Sequence, residues 1–182
     1  MSVHVQPEEL RCLLAHLATG VTVVATRHPD TGELLGLTAS SFASVSLSPP
    51  LVLVCVKTSL RSHDAIRAAG VFSINVLDQN VEHVARRFAR RLSNKFRGLA
   101  FQTRLTGAPV LDGALVWLDC RTWAAYPGGD HTIYVGEVAA GGACDGLPLI
   151  HHRGTYARLA SIREARPVLT AHHEMSWREA MS

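Results

Sequence analysis

At 182 residues and 19.7 kDa the chain can bury one substantial core and is short for two, so a single domain is expected. Its 47% hydrophobic and 18% charged residues suit a globular fold, and the longest unbroken apolar run, Leu51 to Val56, is too short to span a bilayer, so no membrane helix is expected. A net charge of +3 and a pI of 8.9 favour small anions and are too weak to argue for nucleic acid.

The N-terminus lacks the basic start and apolar stretch of a signal peptide, which places the protein in the cytoplasm as an expectation. The cysteines at 12, 55, 120 and 144 form no Cys-x-x-Cys pair, so neither a disulfide framework nor a zinc site is expected. Of the ten histidines, the neighbours His151–His152 and His172–His173 have no further ligand at chelating spacing and read as polar loop residues.

Pro7, Glu8 and Glu9 look like a helix start, followed by Leu10, Leu13, Leu14 and Leu17 at helical spacing, with Gly20 as the stop. Val21 to Thr26 is β-branched and predicts a strand that turns through His28 to Gly32 into a second strand, Leu34 to Ser41. Next comes a period-2 alternation, with Val45 and Leu47 between Ser44, Ser46 and Ser48, the pattern of a half-exposed strand. Pro49 and Pro50 stop it, and Leu51 to Val56 then reads as a strand covered on both faces. The run Thr38-Ala39-Ser40-Ser41 offers hydroxyls and unencumbered backbone N–H groups, which suit either a water-facing strand edge or the polar edge of a ligand.

Ser62 is a plausible N-cap for a helix from His63 to Ala69 closed by Gly70, and with Ser59 and Arg61 it also suits a phosphate. Ser62-His63-Asp64 contains the residue types of a hydrolase triad, but sequence neighbours cannot align in that relay and no Gly-x-Ser-x-Gly elbow is present. Val71 to Leu77 is another strand. The helix after it carries Val81, Val84, Ala85 and Phe88 on one face and Arg86, Arg87, Arg90 and Arg91 on the other, the usual meaning of which is a solvated basic face. Strands around Phe101 to Leu105 and Ala114 to Ala125 follow, and a turn at Pro127 to Asp130 returns the chain into His131 to Val138. Many short strands, few helices and no sustained βαβ alternation predict a mainly β barrel, and the absence of Gly-x-Gly-x-x-Gly excludes a Rossmann-type dinucleotide site.

Residues 36 to 50 resemble, without a gap, the Gly-x-Thr-x-Ser-Ser-Phe-x-Ser-Val-Ser-x-x-Pro-Pro signature of the flavin reductase-like family, the short-chain flavin:NAD(P)H reductases of two-component monooxygenases. Gly129-Asp130-His131, with Gly136 and Val138, is similar to the family's Gly-Asp-His-x-x-x-x-Gly-x-Val motif, and Asn94-Lys95-Phe96 to its Asp-Lys-Phe motif with Asn94 in place of the acid. Pro148 to Tyr156 is a further match, and the resemblance spans about Leu10 to Leu159.

The resemblance implies a split β-barrel domain over residues 1–160 and a homodimer with flavin at the subunit boundary; residues 161–182 lie beyond it and read as a C-terminal tail or helix. It implies hydride transfer from NADH, ahead of NADPH, to FAD or FMN, with the reduced flavin passing to a separate flavin-dependent monooxygenase. Thr38, Ala39, Ser40 and Ser41 would meet the ring's polar edge beside Cys55 and Val56 of the next strand. Ser59, Ser62, Arg87 and Lys95, with Phe96 adjoining, would meet phosphate, and Tyr156 would lie near the flavin. His131 would be the catalytic-site residue, an imidazole N–H holding the nicotinamide carboxamide. Two other readings share the fold: a non-catalytic flavin carrier or sensor, and an enzyme resembling pyridoxamine phosphate oxidase.

Overall fold

The computed structural model describes residues 5–159. The expected tail over 161–182, with His172–His173, lies outside them.

Helix α1, Pro7–Leu14, carries proline in its first turn, where a missing N–H costs nothing, and Glu8 and Glu9 at the positive end of its dipole. It stops sooner than the leucine spacing predicts. Leu17 lies in the following turn, and Gly20, expected to end the helix, belongs to the two-residue strand β1, Thr19–Gly20. The hairpin of β2, Thr22–Arg27, and β3, Leu34–Ala39, forms as predicted, with Val23 opposite Thr38 and Ala25 opposite Gly36. The next hairpin joins β4, Ala43–Leu47, to β5, Pro50–Lys57. Helix α2, Arg61–Ala69, begins two residues earlier than expected. Leu60 is its N-cap and makes no side-chain capping bond, so Ser62, expected to be the cap, is instead a buried residue of the first turn. Gly70 ends the helix in the left-handed region at φ 65°, its N–H donating to the Ile66 carbonyl.

Strand β6, Val71–Leu77, leads to helix α3, Glu82–Ala89, and then to the short pair β7, Phe101–Thr103, and β8, Pro109–Leu111. Two long strands, β9, Ala114–Gly128, and β10, His131–Ala143, are joined at Gly129, whose φ of 71° glycine adopts without strain. The small strands β11, Ile150–His152, and β12, Thr155–Ala157, pair with each other and with β1.

The main sheet is antiparallel throughout, in the order β3-β2-β6-β9-β10-β5-β4. Its β3 and β5 regions are brought together by a side chain rather than a backbone ladder. Ser41, just past β3, accepts the Cys55 N–H at 3.0 Å and donates to the Cys55 carbonyl at 3.1 Å. This is a mainly β split barrel. Inside it, Val24, Leu37, Val54, Val56, Phe72, Ile74 and Tyr134 pack with Ile66 of α2. Outside β2, a second cluster joins Val23 and Ala25 to Val84, Ala85 and Phe88 of α3, with Phe96 and Leu149. The outward polar residues of the sheet centre are satisfied by the β7–β8 region: Asn75 Oδ1 accepts the Leu111 N–H, and Asp119 accepts from the Thr106 hydroxyl and backbone N–H.

Strand β5 departs from its sequence reading. Val52, Val54 and Val56 are buried, but Leu51, Leu53 and Cys55 on the other face are only half-buried. Cys55 stands opposite Ile133, and Ile133 opposite Tyr126, so a half-open apolar row crosses three strands on that face. Trp123 and Tyr126 are more than half exposed.

Candidate functional site

Three cavities meet at Thr38. The first, about 420 Å³, lies between β3, the loop that enters α2, and residues 88–95 at the end of α3 and just after it. The second, about 270 Å³, runs from Leu37–Ser41 to Cys55, Lys57 and His131. The third, about 210 Å³, lies between Thr38–Ser40, Ala89, His151 and Tyr156. Together they form a groove along residues 34–41, and the first chamber alone falls within the size range of small-molecule sites.

The chain builds the first chamber by fixing β3 to α3. The Thr38 hydroxyl donates to the Ala85 carbonyl at 2.7 Å, and at Gly36 a Cβ would lie 2.8 Å from the Phe88 ring, so only glycine lets the helix come this close. Asn94 turns the chain with a φ of 58°, a conformation asparagine tolerates better than most residues. That turn delivers Lys95, whose ammonium donates to the carbonyls of Gly36 at 3.0 Å and Phe88 at 2.8 Å. One of its three donors remains for an anion. Partial burial lowers the Lys95 pKa below the ordinary lysine value of 10.5.

Ser59, Ser62 and the first turn of α2 line the same chamber, so hydroxyls and the positive end of a helix dipole face the lysine. Arg61 pairs with Glu33 at 2.6 Å on the rim. The hydrolase triad excluded from the sequence does not form either: the His63 ring contacts Asp64 and the Thr132 hydroxyl, each at 3.0 Å, tying α2 to β10.

In the second chamber the Ser41 hydroxyl is engaged with Cys55, which leaves Ser40 as the exposed hydroxyl of the run. His131 Nδ1 lies 2.6 Å from Asp130 Oδ1, and Lys57 stands 3.5 Å from the same carboxylate. The hydrogen bond from His131, and beyond it the nearby Lys57 ammonium, hold Asp130 below the usual carboxylate range. A carboxylate can only accept, so Nδ1 carries the proton and Nε2 of the neutral ring is an acceptor. In the third chamber Tyr156 packs edge-on against His151, with ring centroids 5.7 Å apart, beneath the Arg86 guanidinium at 5.0 Å. Arg86 is itself paired with Glu82, and burial raises the Tyr156 hydroxyl pKa.

Ten of the sequence-predicted residues therefore line the groove: Thr38, Ala39, Ser40, Ser41, Cys55, Ser59, Ser62, Lys95, His131 and Tyr156. Three others do not line these chambers. Val56 points into the barrel core, Phe96 is buried against Phe88 and Phe101, and Arg87 turns its guanidinium onto the carbonyls of Asn94 and Arg97. Phe96 and Arg87 thus support the Lys95 turn from behind. Sequence reasoning missed Leu60, Arg90, Arg91 and His151. The signal for the two arginines was the end of α3 at Ala89, which takes them off the helix face and into the chamber wall.

The donors present fit a flavin nucleotide: a cation with hydroxyls for phosphate at one end, and a polar strand edge with an imidazole at the other. Comparison with known proteins agrees. The reductase subunit HsaB of a flavin-dependent monooxygenase from Mycobacterium tuberculosis is 36% identical over 159 residues, covering 86% of this chain and 84% of the relative. An NADH-dependent flavin reductase from a Rhodococcus species is 39% identical over 164 residues, covering 90% of this chain and 92% of its own length. An NADH:FAD oxidoreductase from Streptomyces globisporus, solved in complex with NAD and FAD fragments, superposes with a TM-score of 0.82 at 35% identity, covering 90% of this chain and 100% of the other. Residues 14–160 match the model of the flavin reductase like domain, and the chain belongs to that family.

Proposed function

We propose that this protein is an NADH-dependent flavin reductase that works as a homodimer in the cytoplasm and hands reduced flavin to a separate monooxygenase. The observation that carries the reading is the continuous groove along residues 36–41, with Lys95 in the chamber on one side of Thr38 and His131 in the chamber on the other. Two features support the finer parts. The half-open apolar row through Cys55, Ile133 and Tyr126 suits a second subunit, and four unpaired cysteines suit a reducing compartment.

A bound flavin supplies the hydride acceptor. Lys95, Ser59 and Ser62 bind its phosphate and fix its position along β3, while the Ser40 hydroxyl and neighbouring backbone groups orient the ring's polar edge. His131 would hold the nicotinamide carboxamide through Nε2, because Nδ1–H is committed to Asp130; with the ring neutral, Nε2 accepts from the carboxamide N–H₂, where the resemblance implied a donated N–H. Thus His131 positions the donor and moves no proton, and Asp130 fixes the tautomer that makes Nε2 an acceptor. Mixing purified protein with each flavin and NADH, and following absorbance at the nicotinamide band, tests the reading. Flavin-dependent loss of NADH is expected; flavin binding with no NADH oxidation would make the protein a carrier.

A further inference from the structure

We propose, resting on the flavin reductase reading, that this chain takes FAD in preference to FMN and that Arg90 and Arg91 read the difference. The first chamber continues well past the point where a single phosphate is satisfied. Lys95 is anchored to the carbonyl of Gly36, and the chamber wall runs on along β3 through Leu34 to Glu33. Three strand residues rise roughly 10 Å, which leaves a length that FMN, ending at its phosphate, does not fill. FAD continues there with a second phosphate, a ribose and an adenine.

The wall chemistry of this extension matches that remainder. Arg90 and Arg91 line the same chamber, are exposed, and make no ion pair or side-chain hydrogen bond among the described residues. Glu33, the acid of this wall, is already paired with Arg61 and does not neutralise them. Guanidinium groups suit bridging phosphate oxygens because they present several donors in one plane. Leu35 and Leu92 add apolar surface for an adenine, and Leu92 is about half exposed with no other evident reason to face water. A site built for FMN needs neither the length, nor the two arginines in addition to Lys95, nor the leucines.

Equilibrium titration of the purified protein with FAD and with FMN, for wild type and the double variant R90A/R91A, tests the proposal. The wild type is expected to bind FAD at least about tenfold more tightly than FMN, and the variant to lose most of that preference while its FMN affinity moves less than about twofold. R90K/R91K keeps the charge and should recover only part of the preference, since a lysine presents a point charge rather than a fork. Equal wild-type affinities, or equal weakening of both flavins in R90A/R91A, would overturn it. So would unchanged FAD affinity with a raised KM for NADH, which would assign the arginines to the dinucleotide. Binding of neither flavin to the wild type would remove the flavin reductase reading itself, and this proposal with it.

Discussion

Strand β2, with Val23, Val24 and Ala25 at its centre, and strand β5, with the run Leu51 to Val56, are both rich in apolar residues and meet different fates. In β2, Val23, Val24 and Ala25 are all fully buried, because the barrel core covers one face and α3 covers the other. In β5 the barrel core covers Val52, Val54 and Val56, while the outward residues Leu51 and Leu53 stay half-buried. Consecutive apolar residues in a strand thus state that both faces want cover and leave open which molecule provides it. For β2 the cover is intramolecular; for β5 we propose a second copy of the chain.

The strongest way to break that contrast is to charge the open face. Leu53→Glu together with Ile133→Glu should convert a species of about twice 19.7 kDa into one of about 19.7 kDa in light scattering, with little change in far-ultraviolet circular dichroism. A wild type that is already monomeric would end the contrast. On the covered side, Phe72→Ala empties the centre of the inner cluster and should cost about 3–5 kcal/mol of folding stability by chemical denaturation. That loss belongs to the single chain, so its dimer fraction at low denaturant should stay as in the wild type.

At the groove, Lys95→Ala should weaken FMN and FAD by about 1.5–3 kcal/mol and riboflavin by much less, because riboflavin has no phosphate to contact. Equal losses for all three would place the lysine elsewhere. The Lys95 pKa is lowered by burial, so in the free protein the ammonium is lost on raising the pH before 10.5 is reached. Phosphate-dependent affinity should therefore fall with rising pH from below that value. The sign for folding is opposite. In the window between the lowered folded value and 10.5 the unfolded chain holds more protons, so this residue's contribution to stability increases with pH. A smaller effect is expected at the seam between β3 and β5: Ser41→Ala removes both bonds to Cys55 and should cost about 1–2 kcal/mol by the same denaturation measurement.

Much of this was legible in the sequence, and the exceptions have physical causes. Period-2 runs and turn residues indicated the β2–β3 and β9–β10 hairpins and the two strands β4 and β5, since these depend on local pattern and on Gly129. The helix ends were less legible. α1 stops at Leu14 although the leucine spacing runs on, and α2 begins at Arg61 with Leu60, which cannot cap through its side chain, in the N-cap position expected for Ser62. The motif matches led to Lys95 and His131, but three neighbours carried with them, Val56, Arg87 and Phe96, serve packing or loop support instead. A motif marks a stretch of chain, whereas the side-chain directions within it follow from strand alternation and from which carbonyls need donors. Thr38 and Ser41 show this most clearly: both hydroxyls, legible as ligand contacts, hold the walls of the groove together.

The most direct test is anaerobic mixing of flavin-loaded protein with NADH, comparing wild type with His131→Ala while flavin affinity is measured alongside. The expected outcome is rapid flavin reduction by the wild type. In the variant, reduction should slow on the order of 10- to 100-fold with a higher KM for NADH and nearly unchanged flavin affinity, as loss of a positioning contact requires. If the variant instead loses flavin yet reduces what it binds at the wild-type rate, His131 belongs to the flavin site and the assignment of the groove's two ends is wrong.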